Sequence, residues 1–163
     1  MNIVLIGMPG CGKSTVGVLL AKTLLMDFVD TDLVLQNRYG KSLCEIMQDG
    51  GVEAFKRKEN QVLSQLSCEN CVVATGGSAV YGKEAMEHLG RQGRIVYLKL
   101  PTQELVSRIE NITTRGIAMK KGGTIEELYT ERAPLYERYA DVTVDCTGLT
   151  AEQCVQRIAA LFQ

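Results

Sequence analysis

The sequence predicts an α/β fold with three layers, in which a central five-stranded parallel sheet lies between two layers of helices. Short apolar segments rich in β-branched residues alternate along the chain with longer segments of helical spacing. Such alternation is typical of a parallel sheet covered on both faces. A glycine-rich turn also joins the first strand directly to the first helix. The predicted strands are residues 2–6, a short strand within 27–32, and residues 71–74, 94–98 and 141–144.

The helices are predicted from apolar positions at helical spacing and from local start and stop signals. Pro101 is expected at the start of one helix, where its fixed backbone angle is tolerated. Thr124 and Glu127 have the spacing of a capping box, which marks the start of another. The predicted helices are residues 14–25, 30–40, 41–49, 52–66, 82–92, 101–109, 124–139 and 150–162.

The length and composition indicate one globular domain covering residues 1–163. With 45% hydrophobic residues, the chain can bury a core without a second domain. Its 18 basic and 19 acidic residues are spread along the sequence, so it offers no basic arm for nucleic acid and no polybasic membrane patch. Neither a signal peptide nor an apolar run of roughly 20 residues is present. We therefore expect a cytoplasmic monomer that binds neither nucleic acid nor membranes.

Two of the six cysteines, Cys68 and Cys71, have C-x-x-C spacing. A zinc site would need a second such pair or two histidines, whereas the chain has only His88. A thioredoxin-like pair would open a helix, whereas here a strand follows. Free and mostly buried thiols in a reducing compartment are therefore expected.

The turn after the first strand carries the motif on which the functional interpretation depends. Residues 7–15, GMPGCGKST, match the pattern G-x-x-x-x-G-K-[ST] between a strand and a helix. Glycines let backbone N–H groups turn towards an anion, and the start of the helix adds positive potential. In this motif the lysine reaches the β- and γ-phosphates and the following hydroxyl binds Mg²⁺. The predicted nucleotide-binding residues of the loop are Gly10, Cys11, Gly12, Lys13, Ser14 and Thr15.

Polar residues also follow two other predicted strands, at the edge where open α/β sheets bind ligands. Asp30 and Asp32 end the second strand and repel each other unless a cation lies close by. Either aspartate could instead cap the following helix, which does not exclude ligand binding. Residues 75–78, TGGS, end the third strand in a turn that a ligand can approach closely. Residues 111–123 combine glycines with cations and lack a regular period, so we expect a mobile lid there.

A phosphate loop, nearby carboxylates and a cationic lid together indicate phosphoryl transfer, in which positioning and charge neutralisation supply most of the catalysis. A small kinase fits better than a GTPase, because the sequence lacks both N-K-x-D and a long apolar strand ending in D-x-x-G. On these residues the chain resembles the shikimate kinases, a P-loop kinase family related to the nucleoside monophosphate kinases. The resemblance runs nearly end to end and rests on residues 7–15, DTD at 30–32, FKRKE at 55–59, Gly76 with Gly77, Asn111 with Arg115, and RAPLY at 132–136.

The resemblance implies ATP as the donor, Mg²⁺ as the metal and a small hydroxy acid as the acceptor. It implies that Ser14 and Asp30 hold the metal, Asp30 through water, and that Asp32 binds acceptor hydroxyls, with proton acceptance as a second role open to it. Arg115 would cover the β- and γ-phosphates from the lid, and Arg108 would stack on adenine. The expected catalytic residues are thus Lys13, Asp32 and Arg115. The expected acceptor ligands are Asp32, Lys56, Gly76, Gly77 and Arg132, within or beside a substrate-binding helical segment at about 31–66.

The acceptor pocket departs from the family pattern. Arg132 matches one half of a clamp on the acceptor carboxylate, but Lys56 stands where the second arginine is usual, and lysine offers a point charge rather than a rigid fork. Ser78 replaces the third glycine of a triplet, and Gly116 with Ile117 replaces Pro-Leu. Glu59 either orients Lys56 or Arg132 or forms a surface i,i+3 pair with Lys56.

Three functions follow in order of preference. The first is phosphorylation of a shikimate hydroxyl to give shikimate 3-phosphate in aromatic amino-acid biosynthesis. The second keeps the chemistry but changes the acceptor to gluconate or another small hydroxy or sugar acid. The third is a nucleotide-binding protein without catalysis, although the set Lys13, Ser14, Asp30, Asp32 and Arg115 exceeds what simple binding requires.

Overall fold

The structure is a computed structural model that describes residues 1–109, 116–120 and 122–163. These residues form an α/β architecture built on five parallel strands, as the sequence predicts. The strands are β1 (Asn2–Ile6), β2 (Asp27–Asp30), β3 (Cys71–Ala74), β4 (Gly93–Lys99) and β5 (Val142–Asp145).

Eight α-helices connect and cover these strands in the described part of the chain. A 3₁₀ helix, Ala79–Tyr81, follows the loop after β3. The predicted capping box of Thr124 and Glu127 starts α7, whereas α8 ends at Ala159, three residues before the predicted end. The helices are α1 (Lys13–Leu24), α2 (Thr31–Tyr39), α3 (Leu43–Gln48), α4 (Gly51–Ser64), α5 (Lys83–Gln92), α6 (Thr102–Ile109), α7 (Ile125–Tyr139) and α8 (Ala151–Ala159).

The strand order β2-β3-β1-β4-β5 places the first strand at the centre of the sheet. Ile3 pairs with Val72 on one side and with Arg94 on the other. All five residues of β1 are buried, so helices cover both faces of the sheet at this strand. Because every strand is parallel, the loops that follow β1, β2 and β3 meet at one edge. None of the helices within the described ranges combines the length and apolar character that a membrane crossing needs.

A buried amide ties the start of β1 to the loop before β3. Asn2 Nδ2 donates to the Cys68 carbonyl at 2.9 Å, and Asn2 Oδ1 accepts from the Cys71 backbone N–H at 3.0 Å. Cys68 and Cys71, the C-x-x-C pair, are free thiols, and Cys71 is buried. These two bonds hold the start of β1 against the start of β3. They therefore help to set the register in which the two strands pair.

We expect Asn2→Ala to lower the free energy of unfolding by about 1–3 kcal/mol, because it leaves the buried Cys71 N–H without an acceptor. Urea unfolding followed by circular dichroism measures the loss. Asn37→Ala, at an exposed position of α2, is the matched control and should change stability by less than about 0.5 kcal/mol. Equal effects of the two substitutions would contradict the role given to Asn2.

Candidate active site

The loop after β3 is hydrogen-bonded to two other elements at the carboxyl edge of the sheet. Thr75 Oγ1 donates to the Leu5 carbonyl of β1 at 2.8 Å. The Gly76 N–H donates to Thr31 Oγ1, at the start of α2, at 3.2 Å. These bonds hold the loop after β3 against β1 and the start of α2, beside the cleft.

The phosphate loop after β1 has the backbone that an anion-binding turn needs. Gly10 and Gly12 have φ values of +81° and +94°, which side chains other than glycine rarely tolerate. Gly12 is the N-cap of α1, so the helix begins at the loop and directs its positive end there. Lys13 is 7% exposed, and its ammonium group donates to the carbonyls of Gly7 at 2.7 Å and Met8 at 2.9 Å. Positive charge is thus concentrated at the predicted phosphate site.

Ser14 and Asp30 lie side by side next to this loop. Ser14 Oγ donates to Asp30 Oδ2 at 2.8 Å, while Asp30 Oδ1 accepts the N–H of Asp32 at 2.9 Å. Asp30 therefore caps α2 and still presents its other carboxylate oxygen beside a hydroxyl. Magnesium prefers oxygen ligands and is commonly held by one or two carboxylates and several waters. The oxygen pair fits Mg²⁺, and capping and metal binding are compatible here.

The cleft is narrow, with an interior volume of about 50 Å³, and it is partly open to solvent. It runs from the phosphate loop to α7. Residues that the sequence singled out separately lie together on its wall, namely Gly10, Gly12, Lys13, Ser14, Asp32, Gly76, Gly77 and Arg132. Most of the residues predicted to bind phosphate, metal or acceptor therefore line one cleft, with Asp30 and Lys56 outside its lining.

Gly76 lies between two carboxylates. A Cβ atom at this position would lie 2.8 Å from Asp32 Oδ1 and 2.9 Å from Glu59 Oε2. Gly77 is similarly crowded, since its Cβ would lie 2.8 Å from both Arg132 Nη1 and Pro9 Cδ. Both glycines are required because charged side chains approach the backbone closely here.

Glu59 is buried, with 1% exposure, so the predicted alternative of a surface pair with Lys56 is wrong. Lys56 pairs instead with Glu53, 3.3 Å away. Glu59 Oε1 accepts a hydrogen bond from the Ser78 hydroxyl, while Oε2 has no partner within the described ranges. Glu59 follows Phe55 by one helical turn and shares its buried face, a spacing that could have revealed its burial.

Burial is the main cause that raises the pKa of Glu59 to about 7, and the nearby Asp32 carboxylate raises it further. The hydrogen bond from Ser78 and the charges of Arg132 and Lys13 act in the opposite direction. A carboxyl group that titrates near neutral pH therefore lies close to Asp32 and Arg132 at the cleft.

Arg132 is also buried, with 1% exposure. Its Nε donates to the Tyr81 hydroxyl at 3.2 Å, and its Nη2 donates to the Ala118 carbonyl at 2.5 Å. The Tyr136 hydroxyl, which donates to the Gly77 carbonyl at 2.7 Å, lies beside the same guanidinium. Sequence reasoning identified Arg132 but neither Tyr81 nor the Ala118 carbonyl, because no local pattern marks a contact between distant segments.

Lys56 is the predicted acceptor ligand that the structure does not bring to the cleft wall. Its ammonium group lies 3.8 Å from the centroid of the Tyr81 ring. It lines a neighbouring cavity together with Glu53, Tyr81 and Glu131. Lys56 and Arg132 both contact the Tyr81 ring, and a direct contact of Lys56 with the acceptor stays a prediction.

Cys11, Thr15 and Arg108 line a neighbouring groove with Leu149 and Thr150, on the other side of the phosphate loop. Arg108 Nη1 approaches the Gly10 carbonyl at 3.5 Å, and Nη2 lies 3.9 Å from Glu104. This groove adjoins the phosphate loop, and the stacking of Arg108 on adenine stays a prediction.

The predicted catalytic residue Arg115, with Asn111, lies outside the described residues. Further along the predicted lid, Gly116, Ile117 and Ala118 line the cleft. A Cβ on Gly116 would lie 3.0 Å from Leu43 Cβ and 3.1 Å from the Cys44 nitrogen, so this segment packs closely on α3. The motion of the lid and the single-domain organisation stay predictions.

The raised pKa of Glu59 predicts a specific pH dependence of stability. The folded protein binds the Glu59 proton more tightly than the unfolded chain, so this stabilisation is present below pH 4.5 and is lost as the pH rises through about 7. Relative to Glu59→Gln, the wild type should lose up to about 3 kcal/mol of unfolding free energy between pH 4.5 and pH 8. Urea unfolding at both pH values measures this, with the exposed Glu152→Gln as control. A wild-type-to-variant difference that is the same at both values would contradict a buried, titrating Glu59.

Comparisons with known proteins identify the family of this chain. The sequence model described as shikimate kinase matches residues 9–163. A shikimate kinase of Francisella tularensis subsp. holarctica is 37% identical over 99% of this chain and 94% of its own length. Among solved structures, a shikimate kinase from Acinetobacter baumannii in complex with shikimate has a TM-score of 0.90 and 31% identity, covering 99% of this chain and 92% of that one. The enzyme from Aquifex aeolicus has a TM-score of 0.83 and 33% identity, with coverages of 99% and 96%. The chain belongs to the shikimate kinase family, whose members are small-molecule kinases.

Proposed function

We propose that this protein transfers the terminal phosphoryl group of ATP to a hydroxyl of shikimate, with Mg²⁺ as cofactor. The observation that carries the proposal is the cleft itself, because Lys13 and Ser14 line the same cleft as the buried Arg132 and the Asp32 carboxylate. We call the part at Lys13 and Ser14 the donor end and the part at Asp32 and Arg132 the acceptor end. Phosphate-binding and acid-binding groups within one cleft suit phosphoryl transfer to a small hydroxy acid.

At the acceptor end, Arg132 binds the carboxylate of shikimate. Its guanidinium is fixed by two hydrogen bonds and is buried, so an ion pair with the acceptor forms where water competes weakly. Asp32 accepts hydrogen bonds from the acceptor hydroxyls and orients the one that attacks. Because the transition state is loose, little is required of Asp32 as a base beyond taking the proton as the new P–O bond forms. Gly76 and Gly77 leave room for the acceptor beside the backbone.

At the donor end, the loop N–H groups and Lys13 bind the phosphates and offset charge on the transferred group. Ser14 and Asp30 would hold the metal, which when bound neutralises phosphate charge and fixes the phosphate geometry. Arg108 would stack on adenine, and Arg115 would contribute positive charge from the lid. The cytoplasmic location and monomeric state stay predictions from the sequence.

A coupled assay for ADP tests the proposal directly. The purified protein with ATP and Mg²⁺ should release ADP only when shikimate is added, and omission of Mg²⁺ should abolish turnover. Lys13→Ala should lower kcat by roughly 100-fold or more, since it removes charge that stabilises the transition state. Lys22→Ala, an exposed lysine of the same helix, is the matched control and should retain wild-type activity.

Gluconate, other sugar acids and quinate belong in the same assay as alternative acceptors. Saturation by shikimate at micromolar to millimolar concentration supports the proposal. Preference for another acid would overturn it in favour of a changed acceptor, a possibility motivated by the position of Lys56 outside the cleft. Turnover no greater than that of Lys13→Ala with every acceptor would indicate a binding protein instead.

A further inference from the structure

We infer that Tyr81 is the residue that positions Arg132 for the acceptor carboxylate, and that Lys56 acts through Tyr81 rather than by touching the acceptor. This inference rests on the proposed function, since it concerns how the acceptor carboxylate is bound. It assigns specificity to a tyrosine at the end of the 3₁₀ helix, which no sequence motif marks.

The Arg132 guanidinium has two edges that can form paired hydrogen bonds with a carboxylate. The edge formed by Nε and Nη2 is already used, because Nε donates to the Tyr81 hydroxyl and Nη2 to the Ala118 carbonyl. Nη1, on the other edge, lies beside Gly77 at the cleft wall, 2.8 Å from where a Cβ on that residue would be. Tyr81 and Ala118 thus hold one edge so that the guanidinium presents its other edge to the cleft.

Tyr81 is itself held between charged groups. Its ring carries the Lys56 ammonium at 3.8 Å and the Arg132 guanidinium at 5.2 Å from the ring centroid. The Glu131 carboxylate interacts with its hydroxyl, and burial keeps the phenol neutral by raising its pKa. Lys56 also forms an ion pair with Glu53, and its cation–π contact holds the Tyr81 ring in this position. Lys56 therefore affects the orientation of Arg132 indirectly, through Tyr81.

This arrangement explains how the pocket works with a lysine in the family's arginine position. Lys56 does not bind the acceptor carboxylate in place of an arginine, because its side chain is outside the cleft lining and its charge interacts with the Tyr81 ring and Glu53. The carboxylate is bound by the guanidinium of Arg132 alone, which is held in one orientation. The acceptor is then recognised by a single charge whose direction Tyr81 sets.

The main test compares Tyr81→Phe, Lys56→Met and the double variant. Tyr81→Phe keeps the ring but removes the hydroxyl that accepts from Arg132, and should raise KM for shikimate about three- to tenfold while KM for ATP and kcat change less than twofold. Lys56→Met should raise KM for shikimate by a smaller factor. The double variant should resemble Tyr81→Phe alone, since Lys56 no longer has a route to Arg132. Factors that multiply in the double variant would show that Lys56 contacts the acceptor directly and would overturn the inference.

A matched control comes from α2 and α4, where the Lys58 ammonium lies 5.5 Å from the centroid of the Tyr39 ring. Tyr39→Phe and Lys58→Met remove the same groups from a second cation–π pair. They should leave both KM values and kcat unchanged. The methyl ester of shikimate, which lacks the charge, is the matched substrate, and the preference for shikimate over the ester should fall in Tyr81→Phe.

A second readout does not need turnover. Exchange of the Arg132 Nε–H with solvent, followed by ¹⁵N NMR and assigned with Arg132→Lys, should be slow in the wild type and at least tenfold faster in Tyr81→Phe. Unchanged exchange would overturn the positioning role even if shikimate is the acceptor. If the wild type does not phosphorylate shikimate but Nε–H exchange is still faster in Tyr81→Phe, the proposed substrate is refuted. The positioning of Arg132 by Tyr81 is then still supported.

Discussion

The acceptor end of the cleft depends on the burial of one guanidinium. A charged side chain that is 1% exposed is tolerated only if its donors are satisfied and its charge is compensated. Arg132 meets these requirements with the Tyr81 hydroxyl, the Ala118 carbonyl and the nearby Glu59 carboxyl. The 3₁₀ helix, the segment at Ala118 and α4 therefore each supply a group that compensates the buried charge of Arg132 on α7.

Glu59 connects this charge to the rest of the site. Its carboxyl interacts electrostatically with Arg132 and Lys13, which attract its charge, and with Asp32, which repels it. Ser78, where the family usually has glycine, supplies a hydrogen bond to the same carboxyl. The protonation of Glu59 near neutral pH thus depends on groups at both ends of the cleft. An acidic acceptor that pairs with Arg132, or a polyanionic donor that pairs with Lys13, would therefore change the pKa of Glu59.

The parallel sheet makes this convergence possible. The central strand β1, its neighbour β3 and the edge strand β2 end at one edge of the sheet. There the loop after β3 is bonded to β1 through Thr75 and to the start of α2 through Thr31. Asp30 makes two contacts at this edge, because one carboxylate oxygen caps α2 and the other accepts a hydrogen bond from Ser14. Asp30 therefore holds the start of α2 beside Ser14, the residue that follows Lys13 of the phosphate loop.

Local patterns predicted the features that depend on local chemistry. The strands, the phosphate loop and the capping box at Thr124 could be read from spacing because glycine, β-branched residues and caps act over a few positions. Helical spacing from Phe55 could also have revealed that Glu59 is buried. The contacts of Glu59 and the position of Lys56 could not be predicted, since both depend on which side of α4 meets the loop after β3. Tyr81 was missed because its partners, Lys56 and Arg132, are 25 and 51 positions away in the sequence.

Calorimetric titration of shikimate into the wild type and Arg132→Lys tests whether a single, rigidly held Arg132 binds the acceptor carboxylate. Lysine keeps the charge and loses the planar fork. Kd for shikimate should rise at least tenfold in the variant, with unchanged affinity for a non-hydrolysable ATP analogue as evidence that the fold and donor site are intact. Equal affinity of the two proteins for shikimate would contradict this role of Arg132.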